Sequence, residues 1–87
     1  MKAKRVVILQ SQSGDWEGLY VDGYLQDEGH TLGEGDSKLY MLKAAEEYSF
    51  KSSDVKISQL SDDDDLELGK HGNMLSYLGD YKTMYDA

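Results

Sequence analysis

Four consecutive apolar residues, Val6-Val7-Ile8-Leu9, form the longest apolar run in the chain. Successive side chains of a strand point to opposite faces of a sheet, so such a run needs cover on both faces. We therefore predict a central strand over residues 5–10. The run is far shorter than the ~20 residues of a membrane span, and no cleavable signal is recognisable at the N-terminus. The expectation is a soluble, cytoplasmic protein.

The next residues carry the signals of a β-hairpin. Asp22-Gly23 suits a type I′ turn, because glycine tolerates the positive φ that this turn requires. Strands are predicted over 16–21 and 24–27 on either side of it. Leu19, Val21 and Tyr24 are expected on one face of the hairpin, and Trp16, Tyr20 and Leu25 on the other.

A helix and a fourth strand complete the predicted sheet. Tyr40, Met41, Ala44, Ala45 and Tyr48 recur at helical spacing, which predicts a helix over about 37–49, capped by Asp36 or Ser37. A strand over 55–60 follows, and a right-handed crossover would place it parallel to the first strand. The predicted class is α+β: a small mixed four-stranded sheet in the order 3-2-1-4, one main helix, a short acidic helix over about 62–70 and an aromatic C-terminal segment, 73–87.

Size and composition exclude several classes of protein. A chain of 87 residues buries only about 60% of its unfolded surface, so residues 1–87 are predicted to form a single domain. Without Cys or Pro it is neither a disulfide scaffold, nor a thiolate zinc finger, nor a proline-rich ligand. Nine basic against seventeen acidic residues give a net charge of −8, which disfavours direct binding to nucleic-acid phosphates.

Residues that could catalyse a reaction or bind a metal do not form a recognisable motif. The acidic run of residues 61–67 has Glu67 where an EF-hand loop needs glycine, so a solvated first turn of a helix is expected. Neither His30 nor His71 has a companion at i+3 or i+4 that could make a helix-borne metal pair, and both are interpreted as turn or surface residues. The glycine-rich connection of residues 29–35 has no phosphate-binding lysine and is interpreted as a flexible loop. We predict no catalytic residue, no metal and no cofactor, with a small enzyme or metal-binding protein as an alternative.

The chain contains an excess of tyrosine, seven residues in all. Near the C-terminus, apolar and aromatic residues recur at helical spacing and predict a continuous stripe. That stripe either covers the open face of the sheet or forms a second interface with a partner. Its members are Met74, Tyr77, Leu78, Tyr81, Met84 and Tyr85.

The hairpin is the other candidate surface, because Tyr and Trp are enriched where proteins meet. Its predicted contact residues are Trp16, Tyr20, Tyr24 and Leu25. Acidic residues around them would steer a basic partner protein. These are Asp15, Glu17, Asp22, Asp27 and Glu28.

The segment Trp16–Gly23, followed by Glu28-Gly29-His30 and later by Ser53-Asp54-Val55, resembles a pattern in small, acidic, uncharacterised proteins of phages and bacteria. The resemblance implies a hairpin, a glycine turn and a segment that leads into a helix. It also implies a mobile-element origin and the host cytoplasm as the compartment. Small phage proteins of this kind often bind and disable a host protein.

The functional hypothesis from the sequence is therefore a non-enzymatic protein-binding module, an inhibitor or modulator of a host protein. One alternative is an acidic mimic of nucleic acid, which would occupy the DNA- or RNA-binding groove of its partner. The sequence leaves the oligomeric state open, because homodimerisation could equally cover two apolar sheet faces in so short a chain. The sequence predicts no membrane partner.

Overall fold

The computed structural model of the chain describes residues 5–30 and 37–83. Within these residues, four strands form one sheet in the order β3-β2-β1-β4, with β1 antiparallel to β2 and parallel to β4. This confirms the predicted α+β class and the strand order. The elements are β1 (Val6–Gln10), β2 (Glu17–Val21), β3 (Tyr24–Gly29), α1 (Ser37–Tyr48), β4 (Val55–Gln59) and α2 (Asp62–His71), with 3₁₀ turns at Ser52–Asp54 and Leu78–Asp80.

The central strand β1 is buried on both sides, as its apolar run predicts. On one side, here called the helix face, α1 covers the sheet; on the other, the back face, α2 and the C-terminal segment do so. The helix-face core contains Val6, Ile8, Leu19, Val21, Ala44 and Phe50. The back-face core contains Val7, Leu9, Tyr20, Leu60, Met74 and Leu78.

The backbone adopts positive φ at the hairpin turn and at the end of α1. Asp22 and Gly23 have φ values of 51° and 91°, as the predicted type I′ turn requires. Ser49 follows α1 with φ 59°, and the Phe50 N–H donates to the Ala45 carbonyl at 3.2 Å. This is the Schellman arrangement, with serine at the position that glycine usually occupies.

Strand β3 is longer than predicted and contains a bulge. Tyr20 pairs with Leu25, but Leu19 pairs with Asp27, so Gln26 is an extra residue in β3. Because one extra residue exchanges the two faces of a strand, Asp27 lies on the helix face and Glu28 on the back face. The bulge thus decides which layer each carboxylate meets.

The acidic run forms the first turn of α2, as predicted, and Asp62 and Asp63 are exposed, but the expectation of a solvated turn is wrong for Asp64. Asp64 is 3% exposed, and the Ser61 hydroxyl donates to its carboxylate at 2.8 Å. The Gln12 backbone N–H donates to Asp65 at 2.9 Å, and the Gln12 side-chain amide donates to Asp62. These carboxylates join the start of α2 to the β1–β2 turn.

The prediction of a helical stripe near the C-terminus is wrong, because the described part of this segment is not an α-helix. Tyr77 is extended, with φ −129° and ψ 129°, and a single 3₁₀ turn follows it. The segment crosses the back face and buries Met74 and Leu78, and Tyr81 packs against them. Self-packing, one of the two predicted alternatives, is therefore observed for these residues. Met84 and Tyr85 lie outside the described residues, as do the loop at 31–36 and the candidate cap Asp36.

Within residues 5–30 and 37–83, neither helix is long and apolar enough to cross a lipid bilayer.

Candidate functional site

The most exposed aromatic feature of the described residues is a pair of tyrosines, Tyr24 and Tyr77, here called the tyrosine pair. Tyr24 is 59% exposed and Tyr77 43%. The two residues form an isolated antiparallel bridge, so Tyr77 extends the sheet beyond β3. Their ring centroids lie 5.0 Å apart with an angle of 40° between the planes. The sheet thus ends in two aromatic rings that face solvent.

Backbone hydrogen bonds fix the tyrosine pair in place. The Leu25 N–H donates to the Ser76 carbonyl and the Leu78 N–H to the Gly23 carbonyl, both at 2.9 Å. The ring of Tyr77 also lies so close to Gly79 that a Cβ atom there would overlap it. Because both tyrosines are held by the sheet, presenting them to another molecule needs little further ordering.

Tyr20, predicted as a contact residue, is fully buried, so that assignment is corrected. Its hydroxyl donates to the Leu75 carbonyl at 2.5 Å, and the two phenol oxygens of Tyr20 and Tyr81 lie 2.6 Å apart. The Leu75 N–H donates to the Tyr81 hydroxyl at 3.1 Å. These bonds place the Tyr20 ring beneath the C-terminal segment, where no partner can reach it. Burial also raises the pKa of the Tyr81 phenol.

Trp16 is half-buried and is held by hydrogen bonding and ring contact. Its indole N–H donates to a carboxylate oxygen of Glu28 at 3.1 Å, and the Met74 N–H donates to the same oxygen at 2.8 Å. The His30 and Trp16 rings are in a T-shaped arrangement, with centroids 4.9 Å apart. Glu28 therefore anchors the C-terminal segment to the hairpin. Leu25, the fourth predicted contact residue, also packs against the back-face core.

The predicted steering carboxylates lie around the hairpin, and several accept hydrogen bonds within the chain. The Arg5 backbone N–H donates to Asp22 at 3.0 Å, and the Gln10 amide to Glu17 at 3.2 Å. Asp15 is exposed, and its carbonyl lies 3.1 Å from the His30 ring nitrogen. Since hydrogen bonding does not remove their charge, these residues still give the hairpin a negative potential.

On the helix face, Asp27 joins β3 to α1. The Tyr40 hydroxyl donates to the Asp27 carboxylate at 3.0 Å. Burial, this hydrogen bond and the Asp27 charge together raise the pKa of the Tyr40 phenol well above its usual value. Burial and the charges of Glu47 and Asp27 raise the pKa of Tyr48. The phenols of Tyr40 and Tyr48 thus both lie near the Asp27 carboxylate.

A shallow groove of about 260 Å³ lies between α2 and the C-terminal segment. Glu67 on its rim lies 3.8 Å from Lys70, 3.2 Å from His71 and 3.7 Å from Lys82. Lys70 and Lys82 lower the pKa of this exposed carboxyl. Among the described residues, no three His, Asp or Glu side chains cluster closely enough to hold a metal ion. The groove is thus bordered by a cluster of paired surface charges centred on Glu67.

In comparisons with protein-family models, with curated proteins and with solved structures, no match to the chain was found.

Sequence reasoning placed Tyr24 and Tyr77 on two separate surfaces, whereas the structure brings them together. The two are 53 residues apart in the chain and meet because the C-terminal segment returns along β3. Tyrosine has a high β-strand propensity, and this could have indicated an extended segment after Asn73. The helical spacing of the stripe favoured a helix there instead.

Proposed function

We propose that the chain is a non-enzymatic protein-binding module and that the tyrosine pair is its anchor. The observation that carries the proposal is the side-by-side exposure of Tyr24 and Tyr77 on a rigid sheet edge. Tyrosine supplies a large contact area with few rotatable bonds, and it is enriched among residues that dominate binding energy. Occupying a partner's surface in this way is how an inhibitor or modulator of a host protein would act.

The charge around the tyrosine pair favours a partner with a basic surface. Asp22 lies in the turn before Tyr24, Asp27 lies further along the same strand, and Asp80 follows Tyr77. The chain as a whole carries a net charge of −8. Complementary charge at the rim raises the rate of association, while the aromatic centre supplies most of the affinity.

The structure supports aromatic anchoring over nucleic-acid mimicry. A mimic needs a row of carboxylates free to replace phosphates, and the densest acidic run in the chain is the one at the start of α2. There Asp62, Asp64 and Asp65 accept hydrogen bonds from the chain itself. These hydrogen bonds engage carboxylates that a mimic would present to its partner.

Affinity capture from a bacterial lysate, followed by mass spectrometry, tests the proposal. The bait is the wild-type chain, and the test variant is Tyr24→Ala with Tyr77→Ala. A cross-strand pair contributes about 0.2–1 kcal/mol, so the variant keeps its fold, which circular dichroism verifies. The matched control is Leu66→Ala, since Leu66 is 65% exposed but lies on α2.

We expect the wild type and the Leu66→Ala control to retain the same partner and the double variant to lose it. A partner retained equally by all three chains would contradict the proposal, as would a wild type that retains none. Binding should also weaken little as salt is added, because an aromatic contact is not screened. A steep loss with ionic strength would instead indicate mimicry.

A further inference from the structure

Strand β4 forms the other edge of the sheet, and no strand of the described residues pairs with its outer side. The Leu60 N–H donates to the Gln10 carbonyl at 2.8 Å, so alternate residues of β4 point their backbone groups towards β1. The remaining residues, Val55, Ile57 and Gln59, point their N–H and C=O groups outwards. Within residues 5–30 and 37–83, no backbone hydrogen bond satisfies these groups.

An exposed apolar side chain lies at the centre of this edge. Ile57 is 70% exposed, and its pairing with the buried Ile8 places it on the helix face of the sheet. Leu42 of α1 is 69% exposed. At ~100° per residue, Leu42 lies about 200° around the helix from Tyr40. Leu42 therefore lies on the side of α1 away from Tyr40, which bonds to β3.

The two edges of the sheet differ in charge and in cover. The β3 edge carries Asp27 and Glu28, and the segment around Tyr77 already pairs with its first residues. Residues 55–59 contain no acidic side chain and one lysine, Lys56. For a chain with a net charge of −8, β4 is therefore the edge at which a second copy meets the least repulsion.

We propose that β4 pairs with β4 of a second copy of the chain, antiparallel, around a two-fold axis at Ile57. This register pairs all five residues of the strand, and no other two-fold register does so. Ile57 lies opposite itself, and Val55 lies opposite Gln59 of the other copy. These are the residues whose backbone groups point outwards, so each opposed pair exchanges two N–H···O=C bonds.

The side chains fit the same register. Lys56 lies opposite Ser58 of the other copy, so no like charges are directly opposed. The two Ile57 side chains meet beside the axis on the helix face. The interface is isologous and closes after two copies, and it joins the two sheets into one of eight strands. This dimer leaves the tyrosine pairs free at opposite ends and does not depend on the function proposed for them.

Sedimentation equilibrium or light scattering on the full chain tests the dimer. We expect a mass of twice 9.8 kDa for the wild type at millimolar concentration. Ile57→Lys and Ile57→Glu each place two like charges side by side at the axis, and each is expected to give a monomer. An equimolar mixture of the two variants should recover the dimeric mass, because the opposed charges are then complementary.

The matched control is Leu66→Lys, which adds the same charge at an exposed leucine on α2 and should stay dimeric. Circular dichroism verifies that each variant is folded; Ile57 is exposed, so its replacement leaves both cores intact. A monomeric wild type would overturn the proposal. So would a dimeric Ile57→Lys variant, or a mixture of the two Ile57 variants that remains monomeric.

Discussion

The Asp64 carboxylate joins the start of α2 to the C-terminal segment, and its replacement by asparagine tests how strongly that segment is held. One oxygen accepts the Lys82 N–H at 2.9 Å. The other accepts the Ser61 hydroxyl at 2.8 Å and the Thr83 N–H at 3.2 Å. With Asp64 only 3% exposed, water cannot replace these partners without opening the structure.

The size of the effect follows from the chemistry of the amide. Asparagine keeps one acceptor oxygen, but its NH₂ group would point at a backbone N–H of the C-terminal segment, donor against donor. Hydrogen bonds to a charged group contribute about 1.5–3 kcal/mol each. In the variant at least one of them is lost, and the acceptor of the remaining ones is no longer charged. We expect Asp64→Asn to lower the free energy of unfolding by about 2–4 kcal/mol. For a domain of this size, that corresponds to a fall in Tm of roughly 10–25 °C.

Urea denaturation of Asp64→Asn beside Asp63→Asn measures this effect. Asp63 lies in the same first turn of α2 but is exposed and accepts no hydrogen bond from any described residue. Its replacement removes the same charge and should cost at most about 1 kcal/mol through the helix dipole. Hydrogen exchange at the Lys82 and Thr83 amides should accelerate in Asp64→Asn alone. Equal losses of stability in the two variants would refute the reasoning.

Two further tests concern the packing around Gly18 and the ionisation of the Tyr40 phenol. Gly18→Ala places a Cβ atom against the Met74 sulfur, so we expect a loss of about 1–3 kcal/mol on thermal unfolding. Gly69→Ala meets no atom within 4 Å on α2 and should stabilise by about 1 kcal/mol, so a Gly18→Ala variant as stable as Gly69→Ala would contradict the packing. Because folding raises the pKa of Tyr40, folding favours its neutral phenol. Its contribution to stability is complete below the usual pKa of 10.0 and is lost as the pH rises above it. Between neutral and alkaline pH, the free energy of unfolding should fall less in Tyr40→Phe than in the wild type. An identical fall in both proteins would exclude this contribution.

The candidate site was predicted in part, and the reasons for the errors lie in particular residues. Tyr24 was correctly placed on a hairpin, because Asp22-Gly23 is a strong local turn signal. Tyr20 was wrongly placed on the surface, since alternation assigns it to the back face but does not show what covers that face. Its cover comes from residues around Leu75, more than fifty positions later.

The bulge at Gln26 had a similar consequence for two carboxylates. Simple alternation from Tyr24 would put Glu28 on the helix face and Asp27 on the back face, and the extra residue reverses both. As a result Asp27 meets Tyr40, and Glu28 holds Trp16. The bulge depends on how the layers on the two faces of the sheet pack, and no residue of β3 predicts it from the sequence.

The sequence by itself determined the α+β class, the hairpin, the central strand and the order of the sheet. The first three follow from local turn chemistry and from the spacing of apolar residues, and the order follows from the general handedness of a strand-helix-strand crossover. The tertiary structure alone decided the course of the C-terminal segment and the partners of the acidic run. The helical spacing of this segment did not decide its backbone, because the back face of the sheet needed cover. Burial of Met74 and Leu78 and the hydrogen bonds to Asp64 stabilise an irregular backbone that no local preference favours.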